Sequence, residues 1–160
     1  MKPHDSWPQG ADDEFVLRQS EIIARSFKRW TSRHLVPPGL SHEETALAIW
    51  KAPFVIASTD TSPEAVLNYG NRTALGLWEL SWTEFTRTPG RQTAEPMERE
   101  ARALFLDEVK RKGFVDNYAG IRISSTGRRF HIRRAIVWNL IDDDENFQGQ
   151  AVFFKEWSYL

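Results

Sequence analysis

Four histidines, His4, His34, His42 and His131, are the whole imidazole inventory of this chain, and no two stand at the i, i+4 spacing of a helical metal site. Cysteine is absent, which removes disulfides, thiolate nucleophiles, iron–sulfur clusters and cysteinyl-flavin photochemistry. No glycine-rich phosphate loop and no Gly-x-Ser-x-Gly nucleophile turn occurs. A resident metal is therefore not expected, and binding chemistry is what remains. Asn71, Asn139 and Gln150 carry amides that offer a donor and an acceptor to the edge of a flat ring. Arg87 and Arg91 flank Pro89-Gly90 ahead of a helix, where an anion could rest. Asp116 with Tyr118, or Asp107, could be nominated as an acid–base pair of an isomerase or hydratase, although nothing in their spacing requires it.

Rings are the other conspicuous resource, with 7 Trp and 10 Phe in 160 residues. They either fill a core or line a pocket for a flat organic ligand, and aromatic positions serve the first purpose more often. The remaining composition, 41% hydrophobic and 27% charged, is that of one ordinary folded domain and not of a disordered or collagen-like chain. Lysine and arginine number 21 against 22 acidic residues, so no overall charge draws the chain to nucleic acid or to an anionic membrane. No apolar run approaches the ~18 residues of a membrane span, and a cytoplasmic, soluble domain is expected.

The elements that must position these groups can be traced in order. Residues 1–11, with two prolines and a glycine, read as a frayed leader. A helix over 13–34 places Phe15, Val16, Ile22, Ile23, Phe27 and Trp30 on one stripe that needs a partner surface. Ser41 with Glu44, and Ser81 with Glu84, have the spacing of capping boxes that start short helices. Between them, residues 54–58 and 65–69 read as a hairpin, and 71–78 as a short helix. Pro96 opens a longer helix over 96–112, with Met97, Ala101, Leu104, Phe105 and Val109 as its inner face and Gly113 as its stop. Strands follow over 118–124, 128–141 and 147–157. On the long middle one, Phe130, Ile132, Ile136, Trp138 and Leu140 share a face by alternation. Arg134 falls on that apolar face too, so it is either buried against a carboxylate or marks a bulge. Arg122, Arg128, Arg129, Arg133 and Arg134 make one end of the sheet basic, and residues 142–145 make the next turn acidic. The whole is an α+β pattern with a five-stranded antiparallel sheet, helices in mid-chain and an N-terminal amphipathic helix.

That order is the one PAS domains use, and the resemblance goes further. AVLNYGNRTALGLWELSWTEFTR is similar to the PAS pattern of a strand, Tyr-x-Asn, a small-residue helix and a capped turn. TPGRQTAEP, DNYAGIRISSTGRRFHIRRAIVWNLIDDD and GQAVFFKEW resemble the MEKHLA family, a PAS-like domain of small free-standing bacterial and algal proteins and of plant homeodomain–leucine-zipper regulators. The match spans roughly residues 40–157, so the domain is placed at 40–160 behind a leader and helix at 1–39. No homeodomain or zipper heptad accompanies it here, and direct DNA binding is not carried over.

The resemblance implies a non-catalytic sensor or interaction domain with a pocket between sheet and helical belt. Ile56, Tyr69, Leu75, Trp78, Trp82, Leu104 and Trp138 are the expected lining, with Asn71, Asn139 and Gln150 as polar contacts. Haem is not expected, because the long helix has no His and only His131 remains in the sheet. A flavin held without a cysteinyl adduct stays open. The N-terminal helix is the expected output element, lying on the outer sheet face of its own or a partner protomer. A homodimer with an unidentified signalling partner follows; a purely structural dimerisation module and a small acid–base enzyme are the alternatives.

Overall fold

The computed structural model describes residues 6–160. Its first helix, α1 (Asp13–Thr31), has Asp13 and Glu14 in the first turn and Lys28 and Arg29 in the last, charges that complement the helix dipole. Ser32 ends it in the left-handed region at φ 60°. The expected leader is not frayed where it is described. Trp7 is buried, and its indole N–H donates to Asp13 at 2.7 Å, tying the segment to the start of α1. His4 lies outside the described residues.

Both capping boxes form as spaced. Ser41 and Glu44 exchange hydrogen bonds at the start of α2 (His42–Lys51), and Ser81 and Glu84 do so at α4 (Trp82–Phe85). Between these helices run β1 (Val55–Thr59), β2 (Leu67–Gly70) and α3 (Arg72–Trp78), the last capped by the Asn71 side chain. A 3-10 turn over Gly90–Thr93 leads to α5 (Pro96–Lys112), which opens on proline and closes on Gly113 at φ +99°. A Cβ at Gly113 would strike the Trp30 ring of α1, so this glycine serves both conformation and close approach.

Three strands follow, then a fourth. β3 (Phe114–Ile123), β4 (Arg129–Ile141) and β5 (Phe147–Phe154) complete an antiparallel sheet of order β2-β1-β5-β4-β3. The last expected strand is broken at Lys155, and β6 (Glu156–Tyr159) pairs separately with the start of β4. Six strands thus stand where five were expected. The cause lies opposite, at Arg134, whose φ of 54° breaks the pleat of β4. Ile132 and Ala135 consequently share one face, whereas Ile136, Trp138 and Leu140 turn to the other. Arg134 itself is exposed, 3.6 Å from Glu156, and marks a bulge in place of a buried ion pair.

The two sheet faces are covered differently. α1 and α2 lie on the outer face over Ile56, Trp138, Leu140 and Ala151. The Phe27 ring meets Trp138 edge-on at 5.0 Å, and Gln19 donates to Ser58 at 3.0 Å. Opposite, α3, α4 and α5 form the belt over Val55, Ala57, Phe130, Ile132 and Phe154. Among the described residues, no helix is long and apolar enough to cross a membrane.

Candidate functional site

The belt face is not closed completely. Of the side chains of α5, only Val109 is fully buried. The helix is held by a stack of Phe105 on Tyr118 at 3.8 Å and by two amides from the sheet. Gln150 Nε2 donates to the Leu106 carbonyl at 3.0 Å, and Asn139 Nδ2 donates to that of Lys110 at 3.1 Å. Beneath α5 lies a cavity of about 70 Å³. Leu67, Trp78, Phe85, Ile132, Val137 and Phe154 give it apolar walls, and Thr59, Thr93, Arg102, Tyr118, Arg122 and Gln150 give it polar ones.

Most of these polar atoms are already spoken for. Thr93 Oγ1 donates to the Gly90 carbonyl at 2.7 Å, and Gln150 bonds Leu106 and Asn139. Arg122 is 8% exposed and spends two N–H groups, on the Ile121 carbonyl at 2.9 Å and the Tyr118 hydroxyl at 3.0 Å. Arg102 packs against Gly90. Burial, and then the Arg122 charge, pull its guanidinium down to about 10. Trp78 is 5% exposed, and its indole N–H has no acceptor.

The residues expected to line a pocket are distributed over both sides of the sheet. Trp78 and Gln150 line the cavity, with Asn139 bonded to Gln150 beside it. Leu75 packs at the edge of both clusters. Ile56, Tyr69, Trp82 and Trp138 belong instead to the outer cluster under α1 and α2. Burial pushes the Tyr69 hydroxyl up, with Ser20 as the opposing influence. Leu104 and Met97 are 66% and 75% exposed, so α5 presents a different face from the one its apolar residues suggested. Asn71 is a buried clamp: Oδ1 accepts from the Ile56 and Ala74 amides, and Nδ2 donates to the Ile49 and Phe54 carbonyls.

Arg87 and Arg91 are exposed, and Arg91 pairs with Glu64 at 3.3 Å. Asp107 and Asp116 are exposed, whereas Tyr118 turns to the cavity and accepts from Arg122, so the nominated acid–base pair is not assembled. The expected basic patch loses Arg122 to the interior; Arg129 is paired with Glu95 and Arg133 donates to Ser158. His34 and His42 are exposed and His131 is partly buried, and no metal-sized cluster of acidic and imidazole side chains gathers among the described residues. A flavin ring system does not fit this arrangement. The cavity is far below the roughly 300 Å³ at which small-molecule pockets begin, and the three candidate amides are bonded to protein.

Sheet order, belt and outer helix define the class of the protein. The fold is PAS-like, similar to a PAS domain from Colwellia psychrerythraea at a TM-score of 0.63 and 13% identity, over 74% of this chain and 95% of that one. An RNA-binding light-oxygen-voltage receptor is similar at a TM-score of 0.59 and 18% identity, over 74% of this chain and 34% of that one. Within that class the chain belongs to the MEKHLA domain family, whose profile matches residues 17–159 and so takes in most of α1. The homeobox-leucine zipper protein HOX32 of Oryza sativa subsp. japonica is 21% identical over 154 residues, covering 96% of this chain and 18% of that protein. The chain spans less than a fifth of the length of the curated relatives it matches.

Proposed function

We propose that this PAS-like sensory domain takes a small ligand in the cavity under α5 and reports occupancy through α1, with association of two copies as the output. One junction carries the reading. Asn139 accepts from the Trp30 indole of α1 at 2.9 Å through its carbonyl, and its amide N–H donates to the Gly113 carbonyl at the end of α5 at 2.8 Å. Its side chain bonds the Lys110 carbonyl of α5 and, at 3.2 Å, Gln150 of β5. A shift of α5 therefore moves the bonds that seat α1, which is the differential contact a two-state sensor needs.

Native mass spectrometry of freshly purified protein, with an absorbance scan, tests for the ligand, and hydrogen exchange tests the relay. The expected result is a bound mass whose removal raises exchange in both 96–112 and 13–31. Unchanged exchange in 13–31 on loading and stripping would overturn the relay. The small size of the cavity favours a second reading, a dimerisation module whose core is filled by its own rings. A ligand-free dimer in light scattering, with no bound mass, supports that reading.

A further inference from the structure

The cavity under α5 has an unbalanced lining. Its described walls carry two guanidiniums, Arg102 and Arg122, and no aspartate or glutamate. Arg102 forms no hydrogen bond or ion pair with the described residues, and Arg122 commits only two of its five N–H donors. Trp78 lines the same cavity, and its buried indole N–H is a third donor without an acceptor. Desolvated cations normally acquire a counter-charge, because an unpaired charge out of water costs several kcal/mol or shifts its protonation. Here the two cations instead share one small space, and each raises the cost of the other. Neutral acceptors relieve them only in part: the Tyr118 hydroxyl accepts from Arg122, and no carboxylate stands on the lining to balance either cation.

We propose that this cavity is a binding site for a short-chain monocarboxylate, its two oxygens held by Arg102, Arg122 and Trp78 and its alkyl end set against the apolar wall. This names the ligand class for the sensory reading above and rests on that reading only for its consequence, not for binding. The shape of the lining selects a carboxylate over a tetrahedral oxyanion. About half of that lining is apolar, and Leu67, Phe85, Ile132 and Phe154 suit an alkyl end while offering nothing to the further oxygens of a tetrahedral ion. Length is set by space. About 70 Å³ is room for roughly two water-sized groups, so acetate, a carboxylate and one methyl, fills it and longer chains need α5 to move. Guanidinium is also the side chain whose flat fork matches a carboxylate.

The test is calorimetric titration of the 160-residue chain with sodium acetate, propionate, butyrate and sulfate, each against sodium chloride at equal ionic strength. Saturable binding of acetate, with a raised melting temperature, is expected, and progressively weaker binding of propionate and butyrate. Arg102→Gln should weaken binding ~10-fold or more, with Arg102→Lys between it and the parent, since a charge-assisted bond is lost or only partly kept. Trp78→Phe keeps the ring and removes the N–H, and should weaken binding severalfold at an unchanged circular dichroism spectrum. Equal response to chloride, parent-like binding by Arg102→Gln, or tighter binding of sulfate would each overturn the proposal. Failure of every carboxylate alongside a co-purified neutral ligand would sink the anion site and leave the sensory reading intact. Carboxylate binding without altered exchange in α1 would do the reverse.

Discussion

The two faces of this sheet are built from similar residues to different standards of closure. On the outer face, Phe27 meets Trp138 and Tyr69 meets Trp82, each edge against face, and α1 adds hydrogen bonds to the sheet through Gln19, Ser26 and Trp30. On the belt face, α5 buries one side chain completely and leaves a charged hollow beneath it. Dense, neutral packing is what stability asks of a core. A gap lined with unpaired cations has no such use, and it is found under the helix that is least firmly attached. The difference fits the proposed function, in which the outer face holds the fold and the belt face responds.

The largest break in that contrast should come from removing the outer layer. Deleting residues 1–35 uncovers Ile136, Trp138 and Leu140, and the truncated chain should aggregate, or fall to a lower association state than the parent, in light scattering. If it stays soluble at the same mass, α1 is not the cover of this face. Within the outer core, Trp138→Ala should cost about 3–5 kcal/mol in urea unfolding, as large-to-small changes of enclosed aromatics do. Asn71→Ala should follow at ~2–3 kcal/mol, because it strands two amides and two carbonyls in the interior. On the belt face, Phe105→Ala should cost only about 1 kcal/mol, yet raise amide exchange throughout α5. Equal costs for Trp138→Ala and Phe105→Ala would erase the contrast.

Acid should act on turns and caps in place of either core. Backbone and side-chain bonds from Ser41 and Ser81 lower the carboxyls of Glu44 and Glu84. Bonds from Thr126 and Ser124 lower Glu79, and the Asn146 amide leads in lowering Asp142. Each is depressed on folding, so its contribution is complete above the ordinary carboxyl range, near 4.5 for the glutamates, and is lost as pH falls through the folded values. Melting temperature should be flat from neutrality down to that range and decline below it. The smallest effect belongs to Leu104→Ser, expected within about 0.5 kcal/mol because the side chain stands in solvent.

Local signals were legible where they were chemical. Pro96 and Gly113 bracket α5 at both ends, and the two Ser-x-x-Glu boxes start helices where their spacing says they must. Faces were harder to read. Alternation along β4 joins Phe130 and Ile132 to Trp138, but the bulge at Arg134 separates them, and only the misplaced arginine hinted at it. Both faces of β1 are buried, so nothing in its pattern tells that Ile56 looks toward α1 and Ala57 toward the cavity. Arg102 escaped notice for a related reason. Hydrophobic spacing assigns charged residues to the outside of a helix, and α5 instead turns Leu104 outward and Arg102 in.

The bonds that seat α1 on the sheet have a consequence for how the chain is made. Ser26 joins Ile141 across 115 positions, and Trp30 reaches Asn139 across 109. At ribosomal speeds of ~5–20 residues per second, the apolar stripe of α1 leaves the exit tunnel roughly 5–25 seconds before the strand that covers it. During that interval the apolar stripe of α1 is uncovered while the rest of the chain is made, so this helix has the first claim on a chaperone.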